Sequence, residues 1–130
     1  KHHQEEEIHG ELMKHIGNLF KQYLGDIGTG LRFKPSGFEE LRIKKYRANT
    51  EDKFDVHIDV TDHQSAIRAC AFLFYLNDND GNTDFLLQYL GVEPRKGRVV
   101  IFPPTWEYPH IGNKPTTNDK YIMSTYLHYA

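Results

Sequence analysis

The chain has 130 residues, a formal net charge of −2 and a single cysteine. That length suits one domain with one hydrophobic core, 1–130, and the near-neutral balance offers no general attraction to nucleic acid or to an anionic membrane. No apolar run approaches the roughly 20 residues a membrane span needs, no secretory signal is visible, and a lone Cys70 forms no intrachain disulfide, so a reducing cytoplasm is expected.

The start, Lys1-His2-His3, reads as a tag remnant or a trimmed end, and His2, His3, His9 and His15 are not taken as metal ligands. Ile8, Leu12, Ile16, Leu19, Phe20 and Tyr23 recur at helical spacing and predict an amphipathic helix over 5–24, a support for a sheet rather than a partner-binding helix. Gly25 is placed to end it, and 26–30 forms a glycine-rich connection. From Leu41 the rhythm changes to short strands with turns, over 41–46, 54–59, 66–76, 98–102 and 120–129. The run 66–76 is apolar and aromatic, hence central, and 77–82 is a strong turn signal. Several short, mainly antiparallel strands with one outer helix predict a mainly β fold, a double-stranded β-helix or jelly roll with a core over about 41–129.

The chemistry lies in His57-Ile58-Asp59 and, much later, His110. Two imidazoles and one carboxylate can occupy one face of an Fe(II) ion and leave the other face open. On a strand, His57 and Asp59 point to the same side, and His110 must arrive from another strand. Ten residues past His110, Lys120 opens an alternating run and could hold the far carboxylate of a dicarboxylate ligand.

Further pieces follow in order: Arg68, 72–77, Gly81-Asn82-Thr83-Asp84-Phe85, 92–103, His110-Ile111-Gly112 and Lys120-Tyr121. With the H-x-D pair, this order resembles the prolyl 4-hydroxylase-like branch of the 2-oxoglutarate- and Fe(II)-dependent oxygenases, from about Leu41 to Tyr129. The resemblance implies the jelly-roll fold and iron on His57, Asp59 and His110. It implies that Lys120 pairs with the C5 carboxylate of 2-oxoglutarate and that Tyr46 adds a hydroxyl to it. It places Arg68 and Tyr126 toward a peptide substrate, with Trp106 a candidate for the entrance wall. The activity implied is hydroxylation of a peptide or protein at proline, using molecular oxygen, with ascorbate as a candidate reductant. Alternatives are the same chemistry on a free amino acid, small molecule or nucleobase, and a non-catalytic jelly-roll metal-binding module. Two departures bear on substrate. The family's Gly-Gly-Glu-Thr-x-Phe stands here as Asp80-Gly81-Asn82-Thr83-Asp84-Phe85, and at Tyr126 the family often has tryptophan.

Overall fold

The computed structural model describes residues 2–28 and 35–129, in two compact units, 1–33 and 34–130. The first unit is one helix, α1 (His2–Ile27), longer than expected at both ends. Gly25 does not end it. A glycine inside a helix costs about 1 kcal/mol against alanine but still allows helical φ. The end falls at Gly28, whose φ of 59° is left-handed and whose N–H donates to the Leu24 carbonyl at 3.3 Å, the common glycine cap. The connection expected over 26–30 lies partly outside the described residues. No described helix is long and apolar enough to cross a membrane.

The second unit holds two antiparallel sheets. Its longest strand, β9 (Lys120–Tyr129), runs as the alternation predicts. Along one edge of β9 lie β1 (Pro35–Phe38) and β2 (Arg42–Tyr46); along the other lies β4 (Arg68–Tyr75), followed by β7 (Val99–Phe102). The second sheet has the order β3 (Phe54–His57), β8 (His110–Gly112), β5 (Thr83–Phe85), β6 (Leu90–Val92). Apolar side chains from both sheets meet between them. Ala71, Phe85 and Phe102 form one core cluster, and Tyr46, Tyr75 and Ile122 another, with Val92 and Val100 packed against both. Burying aromatic and branched side chains at about 25 cal/mol per Å² is the main force closing such a sandwich.

Two strand limits differ from expectation by two residues each. The strand expected over 54–59 stops at His57, and Asp59 lies in a bend. The strand expected from Ala66 starts at Arg68, because Ser65–Ile67 forms a short 3₁₀ turn. Asp62 holds that turn by accepting the Ser65 N–H at 2.8 Å. Four strands of three or four residues, β1, β5, β6 and β8, carry no clear period and owe their form to their partners across the sheet.

Candidate metal centre

Sheet register sets the two imidazoles side by side. β3 and β8 pair antiparallel with His57 opposite His110, and their ring centroids are 4.2 Å apart. Asp59 reaches them from the bend, not by strand alternation. Its Oδ1 lies 3.1 Å from His57 Nε2 and 3.7 Å from His110 Nε2. One ligand atom from each residue falls within 4.8 Å of the others.

The tautomers fit a metal. His57 Nδ1 faces the Asp55 carbonyl at 2.7 Å, and His110 Nδ1 faces the Tyr108 carbonyl at 3.0 Å. A ring that donates Nδ1–H to a main-chain carbonyl keeps a lone pair on Nε2, and both Nε2 atoms face the same carboxylate oxygen. Ligands bonded at about 2.1 Å on neighbouring octahedral corners lie about 3 Å apart. The spacing and the mixed imidazole–carboxylate donors therefore suit one face of Fe(II).

Electrostatics agree. Burial pushes the Asp59 carboxyl up, yet His57 and His110 outweigh it and hold the group below the usual carboxylate range. Burial pulls His110 below its ordinary value, against the Tyr108 carbonyl and Asp59, which favours the neutral, ligating ring. Phe54 stacks on His57 at 3.9 Å, while Phe85 and Phe102 flank His110 at 5.4 and 5.0 Å and limit its motion.

Next to the triad is a cavity of about 100 Å³ lined by His57, Asp59, His110, Tyr46, Phe72, Ile122 and Lys120. Lys120 is only 2% exposed. Its ammonium donates to the main-chain oxygens of Gly81 at 3.0 Å and Asn113 at 2.9 Å, and lies 4.7 Å from the Tyr46 ring centre. No carboxylate pairs with it among the described residues, and burial pulls it down from 10.5 to about 8, with Asp80 opposing from a distance. A buried cation with no anionic partner among the described residues can receive an anion. Gly81 lets the chain come this close. A Cβ there would stand 2.7 Å from the Asn113 oxygen and 3.1 Å from Lys120 Nζ. Tyr46 is the cross-strand partner of Lys120, and burial raises its phenol above the ordinary value, so the hydroxyl keeps its proton.

Of the residues expected to face a substrate, Arg68 and Tyr126 lie beside Asp59, whereas Trp106 is 71% exposed and is not among the residues lining this cavity. Two neighbours were not foreseen. Lys44 lines the cavity from the same face of β2 as Tyr46, a position that i, i+2 alternation could have flagged. Glu39 binds Arg68 and His128, and no local pattern announces it.

Two facing antiparallel sheets that bring two imidazoles and one carboxylate together beside a buried cation present the donor set of the two-histidine, one-carboxylate class of Fe(II) oxygenases. A model of the 2OG-Fe(II) oxygenase superfamily matches residues 41–128, and the chain belongs to that superfamily. It is a 2-oxoglutarate-dependent dioxygenase, with Fe(II) as cofactor and 2-oxoglutarate as co-substrate. No curated protein sequence matches significantly. Among solved structures, it is similar to a viral collagen prolyl hydroxylase from Paramecium Bursaria Chlorella virus-1, with 19% identity over 92% of this chain and 74% of that one, at a TM-score of 0.71. A prolyl hydroxylase from Trichoplax adhaerens, solved with a hypoxia inducible factor peptide fragment, gives 15% identity, 89% and 56% coverage and a TM-score of 0.70. A Pseudomonas putida prolyl-4-hydroxylase gives 22% identity, 85% and 63% coverage and a TM-score of 0.65. At these identities the likeness establishes the shared jelly-roll fold.

Proposed function

We propose that this dioxygenase hydroxylates proline in a peptide or protein, with Fe(II) held by His57, Asp59 and His110 and 2-oxoglutarate anchored through its C5 carboxylate by Lys120 and Tyr46. The observation that carries the cofactor reading is the meeting, in one cavity, of a convergent ligand triad and a buried ammonium that has no carboxylate partner among the described residues. Iron held by His57, Asp59 and His110 would supply oxygen activation coupled to oxidative decarboxylation of 2-oxoglutarate, with succinate and carbon dioxide as products.

The chain's own residues do the rest. The Lys120 ammonium, which donates to the Gly81 and Asn113 carbonyls, meets the incoming carboxylate, and Tyr46 offers a phenol proton to the same group. Phe72, Leu73, Phe102 and Ile122 line the cavity and exclude water from it. Asp59, held ionised, gives the site an anionic ligand and lowers its net charge.

Two observations support a peptide at proline. The solved structures with the same fold include prolyl hydroxylases. In addition, a groove of about 430 Å³ opens beside Asp59, lined by polar side chains such as Glu39, Arg42, Gln64 and His128, which suits a main chain better than a compact apolar molecule. A proline-rich peptide lies near polyproline II geometry before it binds, so it loses little ordering entropy. We also place the chain in a reducing compartment such as the cytoplasm, where Cys70 stays a buried thiol and iron stays ferrous.

The test is mass spectrometry of a proline-containing peptide panel incubated with protein, Fe(II) and 2-oxoglutarate, with succinate measured in parallel. One added oxygen on proline with matching succinate is expected. If a free amino acid or nucleobase drives succinate release and no proline peptide is oxidised, the prolyl assignment is wrong.

A further inference from the structure

Asp59 lies in the bend after β3, where no β-ladder fixes it. Arg68 holds that bend. Its Nη1 donates to the Asp59 main-chain oxygen at 2.9 Å. Its Nε and Nη2 donate to the two carboxylate oxygens of Glu39 at 2.7 and 3.1 Å, a two-point pair that orients the whole guanidinium. The guanidinium carbon lies 4.0 Å from the centre of the Tyr126 ring, and the Tyr126 hydroxyl faces the Asp59 carboxylate.

Glu39 is itself tied to β9. Its N–H donates to the Tyr126 carbonyl at 2.9 Å, its carbonyl accepts from Thr125 Oγ1 at 2.7 Å, and its Oε1 lies 2.8 Å from His128 Nε2. The chain of contacts therefore runs from the central strand of the larger sheet to a carboxylate that lies just beyond the end of β3.

We propose that Glu39, Arg68 and Tyr126 form a positioning network that sets the Asp59 carboxylate toward the metal, Arg68 through the main chain of Asp59 and Tyr126 through its side chain. The proposal rests on the reading of Asp59 as a metal ligand. It gives Arg68 a task in the fold itself, because three of its five N–H donors, one each on Nε, Nη1 and Nη2, are already committed to protein acceptors. Glu39 is then the residue on which the arginine's direction depends. Outer partners of metal ligands typically change metal affinity by about 10–100-fold when removed.

The test uses Mn(II) as the probe ion, without oxygen or peptide. Its dissociation constant is read by electron paramagnetic resonance for the parent protein, Glu39→Gln, Tyr126→Phe, Arg68→Lys and Asp59→Ala. The visible charge-transfer band of the anaerobic Fe(II)–2-oxoglutarate complex is recorded for each, with thermal melting of the metal-free proteins as the folding check. Glu39→Gln and Tyr126→Phe keep the shape of the side chains they replace. Both should weaken Mn(II) binding on the order of tenfold or more and shift the band, while melting like the parent. Parental Mn(II) affinity and an unmoved band in both variants overturn the proposal. So does an Arg68→Lys protein that binds Mn(II) normally and, in a separate aerobic turnover assay with Fe(II), 2-oxoglutarate and a proline-containing peptide, shows only a raised peptide KM, since that assigns Arg68 to the substrate. Asp59→Ala separates the two levels: loss of Mn(II) binding there upholds the ligand triad whatever the network does, and parental binding there removes the triad itself.

Discussion

Replacing Lys120 by alanine tests the co-substrate pocket directly. In the folded protein the residue is 2% exposed, and burial brings its pKa from the ordinary 10.5 to about 8. At 1.36 kcal/mol per pH unit, that fall means the fold opposes the charge by about 3 kcal/mol. A bound carboxylate can recover much of this energy, and removing one partner of a buried ion pair costs about 3–5 kcal/mol. Lys120→Ala should therefore weaken 2-oxoglutarate by about two to three orders of magnitude, with some relief from water entering the gap. The same shift predicts a pH effect. Below about pH 8 the free pocket carries the ammonium and binds the dianion fully. Above it the lysine is neutral and must take up a proton to bind, so affinity falls by up to about tenfold per pH unit until the pKa of the liganded lysine is reached. Calorimetric titration of Mn(II)-loaded protein with 2-oxoglutarate between pH 7 and 9.5 measures both effects. The parent should show the decline and Lys120→Ala should bind weakly at every pH with a flat profile. Equal affinity in the variant, or the same decline in both proteins, would refute the reasoning.

His57→Ala and Asp59→Ala should each abolish succinate release and Mn(II) binding while the circular dichroism spectrum is retained, because these residues lie at the edge of the smaller sheet and not in the apolar clusters. Normal turnover in either variant would remove the metal assignment. Tyr46→Phe should weaken 2-oxoglutarate by about fivefold in the same titration, the roughly 1 kcal/mol of one hydrogen bond. Gly81→Ala places a Cβ 2.7 Å from the Asn113 oxygen and 3.1 Å from Lys120 Nζ, so the backbone must shift. That strain should destabilise the protein by about 1–3 kcal/mol in a urea melt and weaken 2-oxoglutarate at the same time. A melt and an affinity both at parental values would show that the close approach is not needed.

What the sequence disclosed depended on whether a feature had a period or a spacing. β9 shows alternation through Lys120-Tyr121-Ile122, and β4 is apolar along nearly its whole length, so both are legible in the sequence. β8 has only three residues, His110–Gly112, too few to set a period, yet it carries the distal histidine. Its place is set by pairing with β3 and β5, at long range. Gly25 misled because glycine weakens a helix without forbidding it, and the helix stops three residues later, at Gly28, where φ is 59°.

The triad and its support differ in the same way. His57, Asp59, His110 and Lys120 were readable from order and spacing because each is a chemically marked residue at a characteristic interval. The reason Asp59 was singled out, strand alternation with His57, does not hold in the structure, since the strand ends first. Something else must aim the carboxylate, and that work falls to residues with no local signature. Glu39 lies 29 positions from Arg68 and 89 from His128, and an acid in Phe38-Glu39-Glu40 looks like any solvated pair. Metal ligands are thus legible because their chemistry restricts residue type, whereas the residues that aim them are chosen by geometry that only folding creates. For this chain, a design that grafted the three ligands onto another jelly roll without the Glu39–Arg68–Tyr126 contacts would keep the donor atoms and lose their direction.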